Sequence, residues 1–454
     1  MTDLAKKDRV GVIDTTLRDA QQCLWASYMT TGMMLPIAER MDNAGFDMID
    51  FMAPVQFDSC VRYLKEDPFE KARTMRQAFK NTPLRGYTRS KSLVGFNLVA
   101  DDIVELWVER LAASGFRVVG TLDALFDVDN MLISQKKAKA LGLTAVGALV
   151  FCDSPVHTDE VYASTARALA EQADVDAIMI KDSGALLTPD RIKTLVPALR
   201  AAIGPDRRIE LHGHCTTALA PLVYMEAVKL GVDQIHTAIA PLASGPAQPS
   251  IQLMAHNLGV IDVDTGIDLQ VIAEISQYLI DLAAREGKPH GQPAEYDAFH
   301  YKHQMPGGMT EHWRYQLEKA GLLDRFDEIL EEIAVVREEL AWPIMVTPFS
   351  QIVSVQAMLN VIHGARYAVV PDEVKLYALG HFGKLLAPVA PDVLDRIVEN
   401  GSPSIPLVRQ ELPPAVPELR KKYPNADDDE RLLRVMFPGN EVDVMLKAQG
   451  RLSA

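Results

Sequence analysis

The stretch Val175–Cys215, VDAIMIKDSGALLTPDRIKTLVPALRAAIGPDRRIELHGHC, decides the fold. It contains two short apolar runs, Val175–Ser183 and Arg208–Cys215, which are predicted to be strands. Between them, TPDRIKTLVPALRAAIG has the apolar spacing of an amphipathic helix and ends in the glycine that often follows a helix. A strand, a helix and a second strand in this order predict a β-α-β unit with parallel strands.

The same alternation extends over the first 260 residues. Amphipathic segments such as ADDIVELWVERLAASG and TDEVYASTARALAEQ separate apolar runs that are predicted to be strands. Eight β-α units in about 250 residues fit a TIM (β/α)8 barrel better than an open doubly wound sheet, and no GxGxxG motif follows the first run. We therefore predict an α/β fold with a TIM barrel over residues 1–258. The eight predicted strands are Arg9–Thr15, Phe46–Ala53, Leu84–Arg89, Phe116–Ala124, Leu143–Cys152, Val175–Ser183, Arg208–Cys215 and Val232–Ala240.

The alternation of predicted strands and helices ends after Gly259. Longer stretches with helical spacing follow, including VIAEISQYLIDLAAREG, HWRYQLEKAG and RFDEILEEIAVVREEL. The Pro- and Gly-rich stretches Gln304–Met309 (QMPGGM) and Asn400–Pro406 (NGSPSIP) are predicted loops. We predict that residues 259–454 form a mostly helical C-terminal domain.

The composition argues against several classes of protein. The chain has 454 residues and a formal net charge of −15, which disfavours nucleic acid as the main partner, because phosphate binding needs clustered Lys and Arg. The N-terminal stretch lacks the apolar segment of a signal peptide, and no uninterrupted apolar run reaches about 18 residues, so neither secretion nor a membrane span is expected. Its four widely spaced cysteines indicate reduced thiols and a cytoplasmic location.

Polar residues stand at the carboxyl ends of the predicted strands, where TIM-barrel enzymes build their active sites. His212 and His214 are one residue apart, so a strand would point both to the same side. Charges crowded around one barrel axis need neutralisation, which a divalent cation would supply. His212, His214 and Asp14 are nitrogen and oxygen donors suited to Zn, Mn or Co, and we predict that they bind such an ion. The strand-end set is Asp14, Arg89, Asp123, Lys181, Asp182, His212, His214, His236 and Thr237.

Five motifs in order resemble the carboxyltransferase component of biotin-dependent enzymes. This family includes the carboxyltransferase domain of pyruvate carboxylase, the transcarboxylase 5S subunit and the oxaloacetate decarboxylase alpha subunit. The resemblance covers about residues 9–440. The motifs are DTTLRDAQQ (Asp14–Gln22), IMIKDSGALLTP (Ile178–Pro189), LHGHCTT (Leu211–Thr217), HQMPGGM (His303–Met309) and VVPDEVKLYALGHFGKLLAPVAPDVLDRI (Val369–Ile397).

The resemblance implies a reaction and a set of site residues. A carboxyl group would move between carboxybiotin and a small 2-oxo acid or related carbonyl compound through an enolate that a metal stabilises. The metal would be held by an Asp, two His and a lysine carbamylated by CO2, roles that the resemblance places on Asp14, His212, His214 and Lys181. By the same resemblance, substrate-contacting groups fall on Arg18, Gln22 and Arg89, and Asp19 would orient them.

The resemblance also implies partners. No biotin-carrying A-M-K-M motif is present in the sequence, so biotin is expected on a separate carrier protein, charged by a biotin carboxylase subunit. The helical second half would supply the contacts of a homodimer. The remaining expected ligand is a small-molecule carboxylic acid.

Several positions depart from the family pattern. Gly120 stands where the family has a strand-4 Arg, Cys215 replaces an Asp beside the two histidines, and Pro246 replaces a Thr that relays a proton. The strand-2 motif also differs, reading MAPVQFD (Met52–Asp58). Three hypotheses therefore stay open at this point: a carboxyltransferase with an unusual acceptor, a biotin-independent metal-dependent lyase, aldolase or 2-oxo acid decarboxylase, and a non-enzymatic scaffold of a carboxylase complex.

Overall fold

Eight parallel strands form a closed barrel in chain order, with the last strand hydrogen-bonded to the first. The structure, a computed structural model, describes residues 8–306, 314, 317–319, 321 and 323–452. Each strand lies within one of the runs predicted from the sequence, so the TIM barrel is confirmed. The strands are β1 (Gly11–Asp14), β2 (Met48–Met52), β3 (Leu84–Arg89), β4 (Val118–Leu122), β5 (Thr144–Val150), β6 (Ala177–Asp182), β7 (Arg208–Gly213) and β8 (Gln234–Thr237).

Helices follow the strands and cover the outside of the barrel. Several begin with a side chain that accepts a hydrogen bond from a backbone N–H of the first turn, as Thr188 does from Arg191 at 3.1 Å. The helices of this region are Gln21–Trp25, Thr31–Asp42, Pro54–Ser59, Pro68–Ala78, Asp101–Ala113, Val128–Ala140, Asp159–Ala173, Pro189–Ile203, Ala220–Lys229 and Ile251–Gly259, with two π-helical turns at Thr16–Ala20 and Cys60–Leu64 and a 3-10 turn at Ser90–Ser92.

The strands are buried on both faces, and alternation decides which residues face the barrel interior. Ile13, Tyr87 and Met179 belong to a small apolar cluster inside the barrel. Their sequence neighbours, such as Val12 and Ile178, pack instead in the main core shared with the helices. Residues two apart along one strand therefore share the interior face.

The C-terminal half is helical, as predicted, and it contacts the barrel at several places. The hydroxyl of Tyr278 donates to the carbonyl of Met33 at 2.9 Å. Asp429, which is buried, pairs with Arg73 at 2.8 Å and Arg110 at 2.6 Å on two barrel helices. The helices of this half are Leu269–Glu286, His300–His303, Phe326–Glu339, Phe349–His363, Asp372–Ala378, Pro391–Asn400, Val416–Lys422, Asp428–Met436 and Glu441–Ala448, with a 3-10 turn at Leu323–Arg325.

The helix Ile251–Gly259 runs through the predicted boundary between residues 258 and 259, and that division stays a prediction. Of the predicted loop Gln304–Met309, residues 307–309 lie outside the described residues, as do five of the ten residues of the stretch HWRYQLEKAG. Within the described part of the chain, no helix is both long and apolar enough to span a membrane.

Candidate active site

A π-helical turn at Thr16–Ala20 carries Arg18 and Asp19 over the carboxyl end of the barrel. Asp14, the last residue of β1, shapes this turn, because its carboxylate accepts the backbone N–H of Thr16 at 2.9 Å and the Thr16 hydroxyl at 2.6 Å. Arg18 is then held between two carboxylates, at 3.0 Å from Asp19 and 2.6 Å from Asp50. The turn therefore presents a fixed ion pair to the interior of the barrel.

Asp19 lies beside both histidines of the HGHC motif. Its Oδ2 atom is 2.8 Å from Nε2 of His212 and 3.2 Å from Nε2 of His214, and the two Nε2 atoms are 3.2 Å apart. Donor atoms of these three buried residues all lie within 4.8 Å of one another, a spacing that one metal ion could bridge. Nζ of Lys181 completes the group at 3.1 Å from Nε2 of His212 and 3.6 Å from Oδ2 of Asp19.

Asp14, which the sequence analysis expected to be a metal ligand, is not brought into this group. Ile13 faces the barrel interior, so the next residue of the strand points to the other face. Both carboxylate oxygens of Asp14 are engaged by Thr16. The carboxylate that lies among the predicted ligands belongs to Asp19, for which the sequence predicted only an orienting role.

Hydrogen bonds on the far side of each imidazole orient both histidines. Nδ1 of His214 is 2.6 Å from the carbonyl oxygen of Pro246, an acceptor, so this nitrogen carries a proton and Nε2 is the ring nitrogen turned toward Asp19. For His212 the orientation comes through two further groups. Its Nδ1 is 3.1 Å from Nδ1 of His236, whose Nε2 is 3.1 Å from Glu210.

The Glu210 carboxylate sets the direction of this second chain, because it only accepts. Nε2–H of His236 donates to Glu210, Nδ1 of His236 accepts from Nδ1–H of His212, and Nε2 of His212 is left with a lone pair facing Asp19. Glu210 also pairs with the buried guanidinium of Arg85 at 2.7 Å, and that ion pair lowers the pKa of Glu210 to about 2 against the effect of burial. The carboxylate is therefore ionised at any physiological pH.

Buried charges dominate the electrostatics of the site. Burial works against ionisation of Asp19, but Arg18 and Lys181 hold the pKa of its carboxyl well below the usual value. Burial lowers the pKa of Lys181 and, together with the Lys181 charge, that of His212. The pKa of His214 is instead raised to about 10, because the neighbouring Asp19 outweighs the effect of burial. The group thus collects positive charge around one carboxylate.

A second group of possible metal donors lies deeper, formed by Asp50, His212 and His236. Its members already have other partners: Asp50 accepts from Arg18 at 2.6 Å, and the two histidines bond to each other at 3.1 Å. The shallower group has a further advantage, because Asp19 and His214 line a cavity at the barrel mouth. Asp19, His212 and His214 are therefore the better placed of the two groups to hold a metal ion.

This cavity, of about 870 Å³, lies between the barrel mouth and the helix Phe349–His363. All five predicted catalytic residues, Arg18, Asp19, Gln22, Arg89 and Lys181, line it together with His214. His212 lies beneath them and is fully buried. The rest of the wall is largely apolar, with Leu122 and Val150 from the strands and Val346, Val355 and Met358 from the helical half.

Sequence reasoning missed a set of buried polar residues inside the barrel. Asp50, Arg85, Tyr87 and Glu210 connect the Arg18–Asp19 pair to His236, through contacts of 2.6 Å (Arg18–Asp50), 3.3 Å (Tyr87–Asp50), 3.2 Å (Arg85–Tyr87) and 2.7 Å (Arg85–Glu210). The signal that could have found them is charge within predicted strands at positions that share a face with strand-end residues, since Glu210 is two residues from His212 and Arg85 four from Arg89.

Comparisons with known proteins place this geometry in a family. Residues 301–451 match the family model described as the conserved carboxylase domain, and residues 130–279 match the HMGL-like model. The chain is 39% identical to a pyruvate carboxylase subunit of Methanocaldococcus jannaschii, over 92% of this chain and 73% of the relative. It is 30% identical to the methylmalonyl-CoA carboxyltransferase 5S subunit of Propionibacterium freudenreichii subsp. shermanii, over 96% and 87% of the two chains.

A solved structure shares the fold. The carboxyl transferase domain from Rhizobium etli pyruvate carboxylase with pyruvate superposes with a TM-score of 0.89 at 24% identity, over 99% of this chain and 78% of that one. The sequence relatives favour carboxyl transfer over the lyase and scaffold hypotheses. The chain belongs to the carboxyltransferase family of biotin-dependent carboxylases, and it is an enzyme of that family.

Proposed function

We propose that this carboxyltransferase moves a carboxyl group between carboxybiotin on a separate carrier protein and the carbon beside the carbonyl of a small 2-oxo acid or related compound. One observation carries the proposal: a buried group of Asp19, His212, His214 and Lys181 lies at the barrel mouth, beneath a cavity of about 870 Å³. A cation held there would face any acid that enters the cavity.

The donor set fits a divalent metal ion, which family membership also implies. We assign Asp19, His212 and His214 as ligands and propose Zn, Mn or Co, because imidazole and carboxylate donors suit these ions. When bound, the ion would supply positive charge beside the carbonyl oxygen of the acceptor.

Lys181 is proposed as the fourth ligand in carbamylated form. An ammonium would repel the cation, whereas a carbamate is an anionic oxygen donor. It forms when the neutral amine nitrogen bonds to the carbon of CO2 and loses one proton. The support is positional, because Nζ of Lys181 already lies within 3.6 Å of Oδ2 of Asp19 and 3.1 Å of Nε2 of His212.

Arg18 and Gln22 are proposed to bind and orient the acceptor. Gln56 holds both in place, since its Nε2 atom donates to the Arg18 carbonyl at 3.2 Å and to Oε1 of Gln22 at 3.3 Å. With Oε1 engaged, the amide N–H groups of Gln22 are left to face the cavity. The two carboxylates on Arg18 fix its guanidinium, so its charge needs little reorganisation during the reaction.

Family membership implies two partner proteins, a biotin carboxylase and a biotin carrier protein. We further propose a homodimer assembled through the helical half and a cytoplasmic location. The four cysteines are free thiols, which is in keeping with a reducing compartment.

The test is biotin-dependent carboxyl transfer by the purified, metal-loaded chain, with N-carboxybiocytin as the carboxyl donor in place of the charged carrier and a panel of 2-oxo acids as acceptors. We expect transfer only when biocytin is present and loss of both metal and transfer in His212→Ala. His363→Ala, which removes an exposed histidine of the helical half, is the matched control. Isotope exchange between CO2 and the acid at the same rate without biocytin would instead identify a biotin-independent enzyme.

A further inference from the structure

Arg89 stands apart from the other cations of the cavity. Arg18 is paired with two carboxylates, and Lys181 lies beside Asp19. Among the described residues, no carboxylate comes within ion-pair distance of Arg89, although its side chain is 9% exposed and lines the cavity. Its Nη1 atom donates to the carbonyl of Gly95 at 3.0 Å, which anchors the guanidinium without neutralising it.

A buried cation without a counterion is costly, and the cost shows in its ionisation. Burial lowers the pKa of Arg89 to about 10, with only a weak opposing effect from Asp58. Arg89 is still charged at neutral pH. An anionic ligand in the cavity would offset this cost.

The strand next to Arg89, β4 (Val118–Leu122), carries no Lys or Arg that could bind an anion in its place. Position 120 on that strand is a glycine, and the space beside it is filled by Tyr87, because a Cβ atom on Gly120 would lie 2.5 Å from Cε1 of that ring. The ring also lies against the guanidinium groups of Arg18 and Arg85, at 5.0 and 5.8 Å. This wall is therefore closed to an anion at the level of Gly120.

The pairing register of β3 and β4 fixes the position of Arg89 along the strand relative to Gly120. Tyr87 pairs with Gly120 and Arg89 pairs with Leu122, so Arg89 lies two residues nearer the barrel mouth. At about 3.3 Å per residue, the displacement along the strand is roughly 6–7 Å. The nearby wall, which includes Leu122, Val150 and Val346, is apolar and suits methylene groups.

We propose that Arg89 binds the distal carboxylate of a dicarboxylic 2-oxo acid, and that the acceptor is therefore longer than pyruvate. The 2-oxo group would lie over Asp19 and the two histidines, with the methylene chain along the apolar wall. This inference rests on the proposed function for the position of the 2-oxo group. Arg89 is then the residue that selects the acceptor.

The test compares Arg89→Gln, Arg89→Lys and the control Arg117→Gln, which removes a charge from an exposed side chain beyond the opposite end of β4. Binding of 2-oxoglutarate and of pyruvate to the metal-loaded full chain is measured by calorimetry. We expect the wild type to prefer 2-oxoglutarate, and Arg89→Gln to lose roughly 10- to 100-fold in affinity for it, with less than about threefold change for pyruvate. Arg89→Lys should recover part of the loss, and Arg117→Gln should behave as wild type.

Catalytic measurements separate this inference from the proposed function. In the transfer assay we expect Arg89→Gln to raise KM for the dicarboxylic acid more than it lowers kcat. Equal wild-type affinity for pyruvate and 2-oxoglutarate, or a raised KM for biocytin alone, would overturn the role of Arg89. Dicarboxylate binding that depends on Arg89 would support it even if no biotin-dependent transfer occurred, because calorimetry requires no turnover. Melting temperatures of both Arg89 variants check that the contact to Gly95 is not required for folding.

Discussion

The assignment of the carboxylate ligand is tested by two matched substitutions, Asp19→Asn and Asp14→Asn. Each replaces a buried carboxylate by an amide of nearly the same shape, and the two residues lie five positions apart in one motif. Asp19 contacts both imidazoles, whereas Asp14 contacts Thr16. We expect Asp19→Asn to lose the metal and Asp14→Asn to keep it.

The structure sets the size of both effects. Loss of even an outer partner of a metal ligand lowers affinity by about 10- to 100-fold, so loss of the Asp19 oxygen should cost at least about 100-fold, or about 2.7 kcal/mol. The fold should survive, because Arg18 keeps Asp50 at 2.6 Å, and we expect a loss of about 1–3 kcal/mol in the free energy of unfolding. Asp14→Asn should cost about 1–2 kcal/mol of stability through one lost bond to Thr16, with metal affinity unchanged within about twofold.

Metal content after dialysis, competition with a chelator of known affinity and urea unfolding measure these quantities on the same preparations. His363→Ala serves as the control for handling. A metal-free Asp14→Asn beside a fully loaded Asp19→Asn would refute the geometric argument and restore the assignment made from the sequence. Loss of metal in both variants, with Asp14→Asn still folded, would show that Asp14 acts on the site through the Thr16–Ala20 turn.

Four further predictions follow from the same contacts. Lys181→Arg keeps the positive charge but cannot form a carbamate, so we expect weak metal binding and no carboxyl transfer, and the mass increment of one CO2 should be absent from the Lys181 peptide. Glu210→Gln should lower metal affinity by about 10- to 100-fold, because the proton positions of His236 and His212 are no longer fixed. It should also destabilise the fold by about 3 kcal/mol, because Arg85 loses its carboxylate partner. Unchanged metal affinity would reduce Glu210 to an ion-pair role. Burial raises the pKa of Asp123 from 3.8 to about 6, so the native state binds the Asp123 proton more tightly than the unfolded state does. This tighter proton binding stabilises the fold below pH 4, and the stabilisation is lost as the pH rises through about 6. Asp123→Asn should therefore gain about 3 kcal/mol relative to wild type between pH 4 and pH 7 in urea unfolding, and a difference independent of pH would contradict the shift. Gly120→Ala should destabilise the fold by about 1–3 kcal/mol, since its Cβ would lie 2.5 Å from the Tyr87 ring, and an unchanged melting temperature would show that the ring moves freely.

Most of the fold could be predicted because buried parallel strands leave a strong signal. Runs such as LTAVGALVFC and VDAIMIKDS are apolar on both faces, and helical segments of regular spacing separate them. The structure shortens most runs by a few residues, as in β8 (Gln234–Thr237) against the predicted Val232–Ala240, because apolar loop residues next to a strand look like strand. Leu84–Arg89 was predicted to the residue.

The site could be predicted only in part, and the reason lies in local geometry. Residues on regular strands, such as His212 and Lys181, follow the alternation rule and come together as expected. Asp19 lies on a π-helical turn, where neither strand nor α-helix periodicity gives the direction of a side chain.

Three of the departures from the family pattern, Pro246, Cys215 and Gly120, have separate structural accounts, and none of them removes a donor of the metal group. Pro246 has no hydroxyl, but its carbonyl oxygen lies 2.6 Å from Nδ1 of His214 and fixes that ring for metal binding. Cys215 is buried, burial raises the pKa of its thiol to about 12, and its backbone N–H donates to Ala247 at 2.9 Å, so it packs and does not act as a nucleophile. Gly120 accommodates the Tyr87 ring, which joins Arg18 and Arg85 to the buried Asp50. The three changes therefore leave intact the group that would hold the metal, and the Tyr87 ring beside Gly120 agrees with our proposal that a carboxylate of the acceptor binds at Arg89 instead.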